Sequence, residues 1–172
     1  MAIRRIYTFD DAVLREKSKK VSRIDPSVLK LIDDMVETMM DAPGVGLAAN
    51  QVGVPLRVIV VRGDENQVYG LVNPELVKVA GSQVGYEGCL SYPGWVGEVE
   101  RADSVVVKGR NRHGKGVRIK ANGFTARAFQ HELDHLDGVL FIDKLTDLKT
   151  LKRVEELEEE EPEEAETAAA RA

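Results

Sequence analysis

The chain has 172 residues, of which 43% are hydrophobic and 31% charged, and it carries a net charge of −5 at pH 7. At that length about 70% of the unfolded surface can be buried, so one domain with a real core is expected. No apolar run reaches the roughly 18 residues of a membrane span, Met1 to Phe9 holds no apolar segment of secretory-signal length, and the acidic balance speaks against general nucleic-acid binding, DNA included; a soluble cytoplasmic protein is the expectation.

The first predicted element is a helix. Asp25 offers an N-cap and Pro26 the first helical position, and Val28, Leu31, Ile32, Met35 and Met39 recur at helical spacing to about Asp41. At that period the methionines read as core. A glycine-rich stretch, Gly44 to Gly53, comes next. Short runs rich in β-branched residues follow at Leu56 to Val61, Tyr69 to Asn73, Leu76 to Val79, Val105 to Val107 and Val117 to Ile119. Their close spacing, with no helix between them, favours antiparallel pairing.

A second helix is predicted over Thr125 to Asp137, opened by the Asn122-Gly123 turn and stopped by Gly138. Phe124, Ala128, His131 and His135 fall on one face, and Phe129, Leu133, Leu136 and Leu140 on the neighbouring one. Apolar coverage that wide implies a helix buried on most sides and wrapped by the sheets. Lys144 to Glu161 suggests a surface helix, and the Glu- and Ala-rich residues Pro162 to Ala172 suggest a disordered tail. The expected class is α+β, with antiparallel β-sheets wrapped around a central helix, a long N-terminal helix and a C-terminal helix. Residues 1–150 form the expected single catalytic domain, and residues 151–172 an acidic helix end and tail.

Chemistry concentrates on the second helix. His131-Glu132-Leu133-Asp134-His135 is an HExxH motif. Four helical residues advance about 6 Å and return to nearly the same face, so two imidazoles can grip one ion while Glu132 points at its open side. Two hydrogen-bonded core histidines would share that spacing. A catalytic ion of this type takes a third protein ligand and keeps one position for water. His113 lies in the turn-like segment Asn111 to Lys115, whereas Cys89 follows Gly88, which lets the backbone come close to whatever the thiolate binds. As the only cysteine, Cys89 cannot form an intramolecular disulfide, and it is the better ligand. Such a site acidifies a water, Glu132 moves its proton, and hydrolysis of an amide-like bond follows. A zinc endopeptidase would place its third ligand downstream of the helix, and a structural site would close with four ligands.

Three segments together resemble the peptide deformylase family: Gly44-Val45-Gly46-Leu47-Ala48-Ala49-Asn50-Gln51, Glu87-Gly88-Cys89-Leu90-Ser91, and Gln130 to His135, in the family's order and spacing. The resemblance covers roughly residues 3 to 150. It implies removal of the N-formyl group from the formyl-methionine of nascent polypeptides, releasing formate. It also implies Cys89, His131 and His135 as metal ligands and Glu132 as general base and acid. Gln51 through its side-chain amide and Leu90 through its backbone N–H are implied as oxyanion donors, worth about 3 kcal/mol each.

By the same resemblance, Val45 and Gly46 pair with the substrate backbone, Gly88 flanks it, and Phe124, Arg127 and Ala128 line a methionine pocket with Arg127 at its rim. Glu87 and Arg101 resemble a pair that holds the cysteine loop. Asp134 either orients an imidazole or faces solvent. Thiolate and imidazole ligands suit Zn, Fe(II), Co or Ni, and the resemblance favours Fe(II). A monomer is expected. The segment Phe9 to Arg15 lacks a proline often found there in the family. Some relatives dock on the ribosome through a basic terminal helix, but here Lys149, Lys152 and Arg153 run straight into an acidic tail, which puts such docking in doubt.

Overall fold

The structure, a computed structural model, describes residues 1–169. Helix α1 (Pro26–Asp41) begins where Asp25 accepts from the Val28 N–H at 3.1 Å and Pro26 occupies the first turn, as the sequence predicts. Eight strands follow the chain as β1 (Gly46–Ala48), β2 (Val58–Arg62), β3 (Val68–Ala80), β4 (Gln83–Cys89), β5 (Tyr92–Arg101), β6 (Ser104–Arg110), β7 (Gly116–Asn122) and β8 (Lys152–Arg153). Helix α2 is Gly123–Leu136, and two short helices, α3 (Val154–Glu160) and α4 (Pro162–Ala169), come last.

Five strands pair antiparallel in the order β1-β2-β3-β6-β7, and β4-β5-β8 form a second antiparallel sheet. Strand β2 shows how the larger sheet acquires two buried faces. Its alternate side chains Val58 and Val60 pack on Leu31, Met35 and Met39 of α1, while Ile59 and Val61 pack on Phe129, Leu133 and Leu136 of α2. A strand buried on both sides has no polar alternate, which is why it reads as a continuous apolar run. Helix α2 thus lies on the face opposite α1. On its other side Arg127 reaches the carbonyls of Gly85 and Val99 in the smaller sheet. The α+β class and the sheet-wrapped central helix agree with expectation.

The expected runs Tyr69 to Asn73 and Leu76 to Val79 are one strand, irregular where Asn73 takes a φ of 52° before Pro74. Strands β1, β4, β5 and β8 escaped the sequence reading. So did the form of the C-terminus. Instead of one helix from Lys144, the chain makes short turns, adds β8 to the edge of β5, and only then coils into α3. Pro162 to Ala169, expected to be disordered, is helical, because Ala165 and Ala168 give α4 a small flat face that packs with Leu157 on Val96. The remainder of that expectation lies outside the described residues. No helix among the described residues is long and apolar enough to cross a membrane.

Candidate active site

The end of β4 and one face of α2 converge on a buried cluster. Cys89 Sγ lies 3.4 Å from His135 Nε2, which lies 3.2 Å from His131 Nε2, and one ligand atom from each residue falls within 4.8 Å of the others. The HExxH spacing has set both imidazoles on the same side of α2, and the end of β4 brings the thiol to them. The backbone N–H groups of Ser91 and Tyr92 point at the sulfur. Burial nonetheless pushes the thiol pKa up, and burial with the neighbouring His131 holds His135 well below the usual imidazole range, hence neutral. A neutral imidazole is the metal-binding form, and a bound cation would favour the thiolate that burial alone disfavours.

Glu132 is fully buried beside them, and neither of its carboxylate oxygens has a hydrogen-bond partner. Burial, then the charge of Glu87, raises its pKa well above the ordinary carboxyl value. A buried polar group without a partner costs free energy, so this one marks a place where a ligand is to come. Gly46 makes room for it: a Cβ there would stand 2.5 Å from Glu132 Oε1. Three convergent buried donors of thiol and imidazole type, beside an orphaned carboxylate, fit a divalent ion with soft and borderline ligands.

His131 is oriented from behind. Its Nδ1 hydrogen bonds to Glu87 Oε1 at 2.8 Å, which turns Nε2 toward Cys89 and His135. Glu87 in turn accepts from Arg101 Nε at 2.8 Å and Nη2 at 2.9 Å, and from Arg127 Nη1 at 2.6 Å. Burial alone would raise the Glu87 pKa, but hydrogen bonds from Arg101 and His131 outweigh it and hold the carboxyl well below its usual range. Asp134 touches neither imidazole; it accepts from Arg101 at 2.6 Å and pairs with Lys144 at 3.3 Å.

A family model of polypeptide deformylase matches residues 3–151. The chain belongs to the polypeptide deformylase family. A peptide deformylase of Halothermothrix orenii is 56% identical over 146 residues, 84% of this chain and 95% of that one. Among solved structures, a peptide deformylase from Legionella pneumophila matches with a TM-score of 0.82 at 46% identity, over 87% of this chain and 89% of that one. One from Thermotoga maritima matches with a TM-score of 0.82 at 41% identity, over 86% of this chain and all of that one. Membership makes the chain an enzyme, a hydrolase, and sets aside both the endopeptidase and the structural-metal alternatives.

The other residues expected from the family resemblance fall around the same centre. Gln51 is held by its Oε1, which accepts from the Ala48 N–H at 2.9 Å, so its Nε2 faces Ser91 Oγ at 3.1 Å and Cys89 Sγ at 3.7 Å. Leu90 occupies the β4–β5 turn next to Cys89. Gly88 is packed, and a Cβ on it would meet the Ala168 carbonyl at 3.3 Å and Val96 at 3.4 Å. Val45, Phe124, Arg127 and Ala128 line a narrow cavity with His131, Glu132 and Glu87.

Arg127 needs a correction. It was expected at the rim with only its stem buried, yet its guanidinium is buried on Glu87 and on backbone carbonyls, because Arg101 is shared between Glu87 and Asp134 and a second cation balances the pair of carboxylates. His113 sits in the exposed β6–β7 turn, apart from the centre, as expected.

Three contributors went unnoticed in the sequence. Asn50 Nδ2 donates to the His135 carbonyl at 2.6 Å and so fixes the end of α2; Ser91 receives the Gln51 amide; Phe141 stacks near His131 with ring centroids 6.4 Å apart. Asn50 and Ser91 lie inside the quoted motifs, so adjacency to a named residue was the available signal. Phe141 had none.

Proposed function

We propose that the chain removes the N-formyl group from the amino-terminal formyl-methionine of newly made polypeptides, releasing formate. The observation that carries this reading is the buried Cys89, His131 and His135 cluster beside the unpartnered Glu132, in a chain whose relatives are named peptide deformylases. A divalent ion held by Cys89, His131 and His135, Fe(II) in our reading with zinc, nickel and cobalt compatible, supplies Lewis acidity toward the formyl carbonyl and the attacking water.

The chain's own residues do the rest. Glu132 takes a proton from water and returns it to the amine nitrogen as the formyl C–N bond breaks, and its elevated pKa suits a group that must both accept and release. Gln51 Nε2 and the Leu90 N–H donate to the carbonyl oxygen as charge develops there. Val45 and Gly46, with the Gly88 backbone, receive the peptide by strand addition. Supporting this, β1 and β4 are each at the edge of a sheet, and main-chain pairing tolerates many N-terminal sequences. Phe124, Arg127 and Ala128 enclose the methionine side chain.

In this reading residues 1–150 are the catalytic unit, and the acidic residues 151–172 stand outside the chemistry. The enzyme works as a cytoplasmic monomer. Chelation is expected to abolish formate release from a formyl-Met peptide, and Fe(II) added without oxygen to restore it. Turnover that survives complete metal removal would contradict the reading. Zinc-only content with oxygen-insensitive turnover would sink the assignment of iron.

A further inference from the structure

The outer half of the five-stranded sheet carries a charge pattern that the active site does not use. Between Lys108 and Lys120 the sequence places six cations, Lys108, Arg110, Arg112, Lys115, Arg118 and Lys120, and no carboxylate. Alternate side chains of a strand point to opposite faces. Val105, Val107 and Ile119 turn inward to the core beneath α2. Their neighbours turn outward, and the register sets Lys108 opposite Arg118 and Lys120 opposite Val106, with Lys78 of β3 on the other side of Val106. Lys78, Lys108, Arg110, Arg118 and Lys120 therefore share one exposed face, at steps of about 6.8 Å along each strand.

Like charges directly opposite one another weaken a sheet, so the Lys108 and Arg118 pairing is a cost, offset on the β3 side where Glu75 stands opposite Lys108. A shallow groove of about 430 Å³ is lined by Lys108, Arg110 and Arg118 together with Asn73, Gly109, Gly116 and Val117, and Glu75 is the one carboxylate among its lining residues. Glu75 pairs with Lys108 at 3.3 Å with both side chains about half exposed, and Arg112 pairs with Asp33 at 2.7 Å. Arg118, Lys120 and Lys115 enter no ion pair among the described residues. The acidic excess of the chain, Glu155 to Glu166, sits on α3 and α4 against the other sheet, so the net charge of −5 does not neutralise this face.

We propose that this face binds RNA through its phosphodiester backbone. The choice of RNA rests on the proposed function, because a nascent polypeptide is still tethered to an RNA-rich ribosome. The outward side chains here are mostly Lys and Arg, with Val106 and Glu75 among them and no aromatic residue to insert, which does not suit a membrane surface. Contact with the acidic helices of another copy would be head-to-tail and would build a ring or a filament, against the monomer proposed above. An extended cationic face reads phosphates irrespective of sequence, and its affinity falls with salt.

The test is fluorescence anisotropy of a labelled RNA hairpin of about 20 base pairs, titrated with the full chain at several salt concentrations. The expected result is binding whose logarithm falls against log salt with a slope of about −4, as for about five phosphate contacts. Arg118→Glu with Lys120→Glu is expected to weaken binding at least about tenfold, whereas Lys17→Glu with Lys20→Glu, an equal charge change at other exposed positions, is not. Absence of RNA binding, equal losses in both double variants, or stronger competition by phosphatidylserine vesicles would overturn the proposal. Turnover of a soluble formyl-Met peptide is expected to be equal in all three proteins. Its absence from all three would overturn the deformylase reading and leave the RNA result standing.

Discussion

Glu132→Gln is expected to lower formate release by about 10³-fold or more while metal content stays at the wild-type level. The size follows from the role. A positioned acid or base contributes roughly 10²–10⁴-fold, and here one side chain carries the proton both ways. A 10³-fold loss corresponds to about 4 kcal/mol of transition-state stabilisation. Glutamine keeps the shape of the side chain in a pocket where Gly46 leaves no spare volume, so the fold and the three ligand positions are expected to survive. Metal analysis beside steady-state kinetics checks both halves. Near-normal turnover would remove Glu132 from the chemistry, and loss of metal together with turnover would make its role one of holding the site together.

The largest loss of stability is expected from Glu87→Gln. Glu87 is fully buried and joins Arg101, Arg127 and the imidazole of His131, all within 2.9 Å. Removing its charge leaves Arg127 without an acidic partner and Arg101 with Asp134 alone. Breaking a buried pair in this way typically costs about 3–5 kcal/mol, because the cations stay desolvated. In a chain of this length that is a fall in melting temperature of roughly 10 °C. Thermal melts of the metal-loaded proteins measure it, and a variant as stable as the wild type would show that the network is solvated. The fall in turnover should exceed what the unfolded fraction explains, since His131 also loses the partner that turns Nε2 inward.

Parts of the molecule were legible because a local rule sufficed. Asp25-Pro26 and the following period announced α1, and Gly138, whose φ of +75° matches a helix stop, closed α2. HExxH placed two ligands because helical geometry alone brings residues four apart together. Cys89 was found by elimination, there being no other cysteine and only one further histidine, in a turn.

Strands β4 and β5 were illegible for a physical reason. Their buried positions include Glu87 and Arg101, charges that satisfy each other only in three dimensions, so apolar alternation is broken where burial is greatest. Gly97 adds to this, since the Leu145 side chain occupies the space where its Cβ would be. Arg127 was misplaced for the same cause: nothing local says that a helical arginine will meet a glutamate 40 residues upstream. Helix α4 was missed because its buried face is made of alanines, which carry almost no hydrophobic signal among glutamates.

The central claim is that this site hydrolyses an N-terminal formamide and no other amide, and the products of a metal-replete reaction with a formyl-Met tripeptide test it most directly. The account predicts one equivalent of formate and one of tripeptide with a free amino terminus, with internal peptide bonds intact. Cleavage of an internal bond, or no formate from enzyme with its metal bound, would contradict it.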